Sequence, residues 1–226
     1  MGDKPEYVRN RPALTDGWTA TVDAYRRGQY ETLLSVDRAV GGLVRALSET
    51  GRLDNTMIVF TSDNGSAWGE HRWLNKQTPY EESIRVPMVV RYPPLGPKPR
   101  TVPQLALNID LAPTFADLAG VETPRVDGRS LVPLLAGSPT PWRNAFLIEH
   151  AFIGGTLAVP SYCAVRSTHE LYAVYSTGEE EYYDMATDPF QESNLAGNPS
   201  TTAAQAALET RLHHMCDPPP PGMARP

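Results

Sequence analysis

The chain has 226 residues, 41% of them apolar and 20% charged. That is enough for one sizeable domain, or a domain with an appendage, and it excludes wholesale disorder. A formal net charge of −6 without any basic run argues against a nucleic-acid partner, and no apolar stretch approaches membrane-spanning length.

Residues 1–18 are polar and irregular, with Pro5 and Pro12, and the opening Met1-Gly2-Asp3-Lys4-Pro5-Glu6 lacks the apolar core of a signal peptide. Over residues 19–48, Leu33, Val36, Val40, Leu43, Val44 and Leu47 recur at three- and four-residue steps, which predicts a long amphipathic helix. Gly51 stands where a helix-ending residue belongs. Gly28 and the Gly41-Gly42 pair weaken the helix locally, and the pair offers room for close packing on a sheet. Residues 53–56 make a turn.

Residues 57–61 form an apolar, β-branched run that predicts a buried strand. It ends abruptly in Ser62-Asp63-Asn64-Gly65. A carboxylate and an amide carbonyl, adjacent at a strand end, suit a hard divalent cation such as Ca²⁺ or Mg²⁺. The same Asp-Asn-Gly letters also serve a tight turn between strands. Residues 64–83 follow as a long polar loop, of the kind that compact domains keep for function or leave disordered.

Residues 86–92 predict a second buried strand, broken by Pro93-Pro94, and residues 93–103 a surface loop. Residues 108–119 read as a helix with Asp110 near its start and Gly120 after it. A short helix over 131–135 and a strand over 145–148 come next. Beyond Ala151 the texture changes: residues 162–166, 171–175 and 181–183 read as a small antiparallel sheet. Residues 202–215 make a closing helix, and residues 217–226, with Pro218 to Pro221 in a row, a loose tail. The two cysteines, Cys163 and Cys216, make no disulfide framework and leave the redox compartment open.

Within the polar loop come Gly69-Glu70-His71, Lys76 and Thr78-Pro79-Tyr80-Glu81-Glu82-Ser83-Ile84-Arg85-Val86-Pro87. Upstream lies Leu34-Ser35-Val36-Asp37. Downstream lie Asn108-Ile109-Asp110-Leu111-Ala112-Pro113-Thr114, Asp127-Gly128-Arg129-Ser130-Leu131 and Glu181-Tyr182-Tyr183-Asp184-Met185. The ordered pattern resembles the C-terminal half of the sulfatase family, within the alkaline-phosphatase-like superfamily of metallohydrolases. The resemblance implies an α/β fold. Residues 1–150 would carry part of a mixed, mostly parallel sheet flanked by helices. Residues 151–216 would add a small antiparallel sheet with a terminal helix, and residues 217–226 a Pro-rich tail.

The implied activity is hydrolysis of a sulfate ester or sulfamate on a sulfated small molecule or glycan. Asp63 and Asn64 match the family's last two metal ligands, with Ca²⁺ or Mg²⁺ implied, and Lys76 matches a lysine that contacts the sulfate. His71 could donate to a sulfate or substrate oxygen or orient the loop. Glu81 and Arg85 are expected to brace the loop through a salt bridge. Trp68 and Trp73 could line a cleft or be buried against the loop. His150, beside Glu149, reads as a structural histidine, and His213 and His214 as surface residues.

The family's nucleophile is a formylglycine made from cysteine in a Cys-x-Pro-x-Arg signature, which neither Cys163 nor Cys216 fits. Formylglycine is therefore expected only in an N-terminal half upstream of these residues, and the chain alone should be incomplete and inactive. Self-association, or pairing with a complementary N-terminal half, is the partner expectation. A phosphodiesterase or phosphonate monoester hydrolase of the same superfamily is one rival reading, and a non-catalytic remnant or interaction module the other.

Overall fold

A computed structural model describes residues 2–96, 99–152, 154 and 159–224. A short helix, α1 (Glu6–Arg9), precedes the 34-residue helix α2 (Asp16–Glu49). α2 starts three residues before the expected residue 19 and ends where the sequence placed its stop. Gly51 is left-handed at φ 67°, the Gly51 N–H donates to the Ser48 carbonyl and the Arg52 N–H to that of Leu47, closing the last turn. Among the described residues nothing packs closely on the Gly41-Gly42 pair. A Cβ at Gly41 would meet only the Arg45 guanidinium, and one at Gly42 would meet nothing within 4 Å.

The strands are β1 (Ile58–Thr61), β2 (Ala67–Trp68), β3 (Leu74–Asn75), β4 (Met88–Arg91), β5 (Ala145–His150), β6 (Tyr162–Ser167), β7 (Glu170–Tyr175) and β8 (Glu180–Asp184). Between them lie α3 (Glu81–Ile84), α4 (Leu111–Ala119) and α5 (Val132–Ala136), and α6 (Thr202–Met215) closes the chain. The two main runs predicted as strands pair with each other, β1 against β4, with Phe60 opposite Val89. Every ladder among the described residues is antiparallel. The parallel strands expected of the complete family sheet are not among them. β1 and β4 are also not buried on both faces, since Phe60 is 42% and Val89 63% exposed.

The chain forms two compact units: Met1–Arg26, Asn64–Arg85 and Ala145–Pro226 make the first, Arg27–Asp63 and Val86–Asn144 the second. In the first, β5, β6, β7 and β8 lie in that order in one sheet. Alternation along β6 divides its core. Tyr162 and Ala164 face a cluster holding Val8, Trp73, Tyr80, Tyr175 and Tyr183, while Cys163 and Val165 face Leu208, Leu212 and Cys216 of the closing helix. Cys163 and Cys216 are joined by a disulfide, which the two isolated cysteines of the sequence did not disclose. The proline-rich tail, expected loose, is tied down as far as Met223, which is buried. Ser161 Oγ donates to the Pro221 carbonyl at 2.8 Å. Residues 97, 98, 225 and 226, within the predicted surface loop and tail, lie outside the described residues.

The first unit also buries charge. Lys4 is 1% exposed and Glu181 fully buried. Glu181 accepts hydrogen bonds from the hydroxyls of Tyr80, Tyr175 and Tyr183, and Lys4 Nζ donates to Tyr183 Oη at 2.6 Å. Desolvation pushes the Glu181 carboxyl up and the Lys4 amine down, and the tyrosine hydrogen bonds oppose the first shift. In the second unit Asp110 is fully buried and holds Arg143 through both carboxylate oxygens. It also accepts from the Leu107 and Arg129 backbone N–H groups. The backbone of the Asp-Gly-Arg-Ser segment is thus pinned to Asp110.

Candidate functional site

The site loop begins where the β1 run stops. A type I′ turn at Asp-Asn-Gly would need a positive φ at both central residues, and neither Asn64 nor Gly65 has one. Gly65 is required for a different reason. A Cβ there would collide with the Glu82 carbonyl oxygen, and the Gly65 N–H donates to the Ser83 carbonyl at 3.0 Å. The glycine lets the start of the loop lie directly on α3.

This packing orients Asn64. Its Nδ2 donates to the Gly65 carbonyl at 2.8 Å, which leaves Oδ1 to accept from Lys76 Nζ at 2.7 Å. Asp63 precedes it in the chain. A carboxylate and an amide oxygen on adjacent residues are donor types that suit a hard divalent ion, although two protein oxygens do not fill a six-coordinate shell.

Between Gly69 and Gln77 the backbone is unusual. His71, Arg72, Asn75 and Gln77 all take positive φ, at 53°, 54°, 90° and 80°. Such clustering of left-handed non-glycine residues costs free energy and persists only where the surroundings enforce it. Trp73 does much of the enforcing. It is fully buried, the Arg11 guanidinium lies 4.2 Å from its ring centroid, and its Nε1 donates to the Lys76 carbonyl at 3.0 Å. Trp73 is therefore an anchor that fixes the Lys76 backbone, not a cleft wall. Trp68 is half-buried, with the Arg26 guanidinium 5.1 Å from its ring.

The far end of the loop is tied to the four-stranded sheet. Tyr80 Oη donates to Glu181 at 2.8 Å, and the Glu81 N–H donates to Gln191 Oε1 at 2.8 Å. Glu81 is braced chiefly by Arg166, at 2.8 Å, and only loosely by exposed Arg85, at 3.8 Å. Arg166 and Gln191 lie 85 and 110 residues away, so no local pattern could point to them. His71 stacks on Tyr80, with 3.9 Å between ring centroids. Burial above all, with the nearby Lys4 charge, lowers its pKa to about 4, so the imidazole is neutral near pH 7.

His150 packs on Tyr162 at the end of β5, and burial lowers its pKa. His213 and His214 are exposed on α6. Both cysteines are consumed in the disulfide, so neither offers a thiol.

Two family models match this chain. One is described as sulfatase, over residues 4–121, and the other as the C-terminal part of N-sulphoglucosamine sulphohydrolase, over residues 69–217. The chain belongs to the sulfatase family. Over 190 residues it is 37% identical to an N-acetylglucosamine-6-O-sulfatase of Bacteroides thetaiotaomicron, covering 81% of this chain and 34% of that protein. Over 217 residues it is 34% identical to the human N-acetylglucosamine-6-sulfatase, covering 81% of this chain and 39% of that protein. Among solved structures, it resembles a protein in complex with its substrate D-glucosamine-2-N,6-O-disulfate, with a TM-score of 0.74, 34% identity and coverage of 82% and 39%. It also resembles the phosphonate monoester hydrolase of Agrobacterium radiobacter, with a TM-score of 0.77, 28% identity and coverage of 87% and 42%. The chain thus spans well under half the length of the relatives it matches, and the model over residues 69–217 places it at the C-terminal part of the family's length.

Proposed function

We propose that this chain supplies the C-terminal share of a sulfatase active centre that hydrolyses a sulfate ester or sulfamate. The bond from Lys76 Nζ to Asn64 Oδ1 carries the reading, because it sets an ammonium beside an oriented amide oxygen at the mouth of a braced loop. Asp63 and Asn64 would hold Ca²⁺ or Mg²⁺, and the ion would supply Lewis-acid stabilisation of charge on the sulfate. Lys76 donates to a sulfate oxygen as the negative charge shifts during cleavage, a role suited to a point charge with rotatable donors. Buried, neutral His71 orients the loop through its stack on Tyr80 and adds no second cation. The formylglycine nucleophile comes from outside these residues. As substrate we assign a sulfated amino sugar or glycan, by analogy with the glucosamine-sulfate relatives.

The likeness to a phosphonate monoester hydrolase favours a second reading, since tetrahedral phosphorus and sulfur esters call for similar pockets. A chimera separates the two. This chain would replace the corresponding C-terminal part of the B. thetaiotaomicron enzyme, and the product would be assayed on N-acetylglucosamine 6-sulfate and on a phosphonate monoester. Desulfation that is lost on Asp63→Ala is the expected result. Turnover of the phosphonate ester alone would favour the second reading, and a folded chimera active on neither would refute both.

A further inference from the structure

Beneath the strained loop lie two buried polar atoms that no hydrogen bond accounts for. His71 Nε2 and Glu82 Oε2 are each out of contact with solvent and without a hydrogen-bond partner. They lie 3.8 Å apart. The His71 side chain is only 6% exposed and that of Glu82 18%. Native structures leave few such groups unsatisfied, because each forfeits its hydration and gains nothing in return.

The surroundings leave this imidazole little freedom. Tyr80 stacks on one face at 3.9 Å, and Tyr80 is itself fixed through its hydroxyl by buried Glu181. The His71 backbone is left-handed. Glu82 sits on α3, whose carbonyls at Glu82 and Ser83 meet Gly65. The segment that carries Glu82 therefore also seats the Asn64 end of the loop.

We propose that Glu82 is a positioning residue for His71: its carboxyl keeps a proton and donates it to Nε2 when the 3.8 Å gap closes to hydrogen-bond range, which holds the ring orientation in the Lys76 loop. The proton sits on the carboxyl and Nε2 accepts it, because a hydrogen bond to the Phe190 backbone already uses the ring's other nitrogen. Burial supports the neutral form, since desolvation raises the Glu82 carboxyl and lowers the His71 imidazole. Glu70 and Glu81 add to the rise at Glu82 and Lys4 opposes it, while Lys4 adds to the fall at His71, and Asp188 and the hydrogen bond to the Phe190 backbone oppose it. The inference deepens the proposed site, and it rests on that reading only for its effect on turnover.

Nitrogen-15 NMR of the histidine rings in the full chain tests the couple without any assay, with His71→Gln assigning the signal. The expected result is one fixed His71 tautomer between pH 5 and 8, a clear displacement of its Nε2 signal in Glu82→Gln, and partial return in Glu82→Asp. Unchanged signals from His150, His169, His213 and His214 would report an intact fold. His71 signals identical in the parent, Glu82→Gln and Glu82→Asp would overturn the proposal. In the chimera, Glu82→Gln should lower kcat about tenfold with KM little changed; unchanged kcat would overturn the positioning role. A displaced NMR signal in an inactive chimera would uphold the couple and count against the sulfatase reading alone.

Discussion

Lys76 and Asn64 meet through one hydrogen bond of 2.7 Å, and the sequence foreshadowed that meeting because family motifs fix the order of the residues. The partner of Asn64 Nδ2, the collision behind Gly65 and the orphaned oxygen of Glu82 were not legible, since each depends on how the loop folds back on α3. In the active chimera, Lys76→Ala should lower kcat by about 10²–10³-fold, the effect of deleting one oxyanion donor, while bound metal is retained. Steady-state kinetics with metal analysis checks both halves of that expectation. Gly65→Ala should act on stability. The added methyl meets the Glu82 carbonyl, and overpacking of this kind costs about 1–3 kcal/mol, read as a lower denaturant midpoint. An unchanged midpoint would show that α3 can retreat at no cost.

Among the elements, α2, α6 and the strands β6, β7 and β8 appear where the periodicity put them, since alternation is decided locally, whereas β5, read as part of the preceding α/β region, joins their sheet. Long-range connections did not declare themselves. Cys163 on β6 and Cys216 at the end of α6 are separated by 53 residues and joined by a disulfide, and spacing alone cannot reveal such a pairing. The bridge fastens the closing helix to the sheet it covers. Its loss through Cys216→Ser should cost about 2–4 kcal/mol, measured by denaturant unfolding, and the unfolded parent should show no free thiol unless reduced. Free thiols in the unreduced parent would contradict the pairing. Helix α2 shows the converse limit. Its 3.6-residue pattern was plain, yet Leu33, Leu43 and others of its apolar row are exposed, because periodicity marks a face and does not supply what covers it.

On the scale of the whole molecule, β1 and β4 carry the composition of central strands, and that composition misled the burial expectation for a physical reason. Apolar strands suit a sheet with neighbours on both sides, and no such neighbours occur among the described residues. Phe60 and Val89 are left exposed opposite each other. Bare apolar surface and open strand edges favour association. The purified chain should therefore self-associate with rising concentration in sedimentation experiments. A clean monomer with one cooperative unfolding transition would contradict that. The most direct measurement of the central claim is metal content and turnover of the chimera against its Asp63→Ala/Asn64→Ala double variant. The expected result is a bound divalent ion and desulfation in the parent, with both lost in the variant; a folded double variant that keeps its metal and its turnover would contradict the assignment of the site.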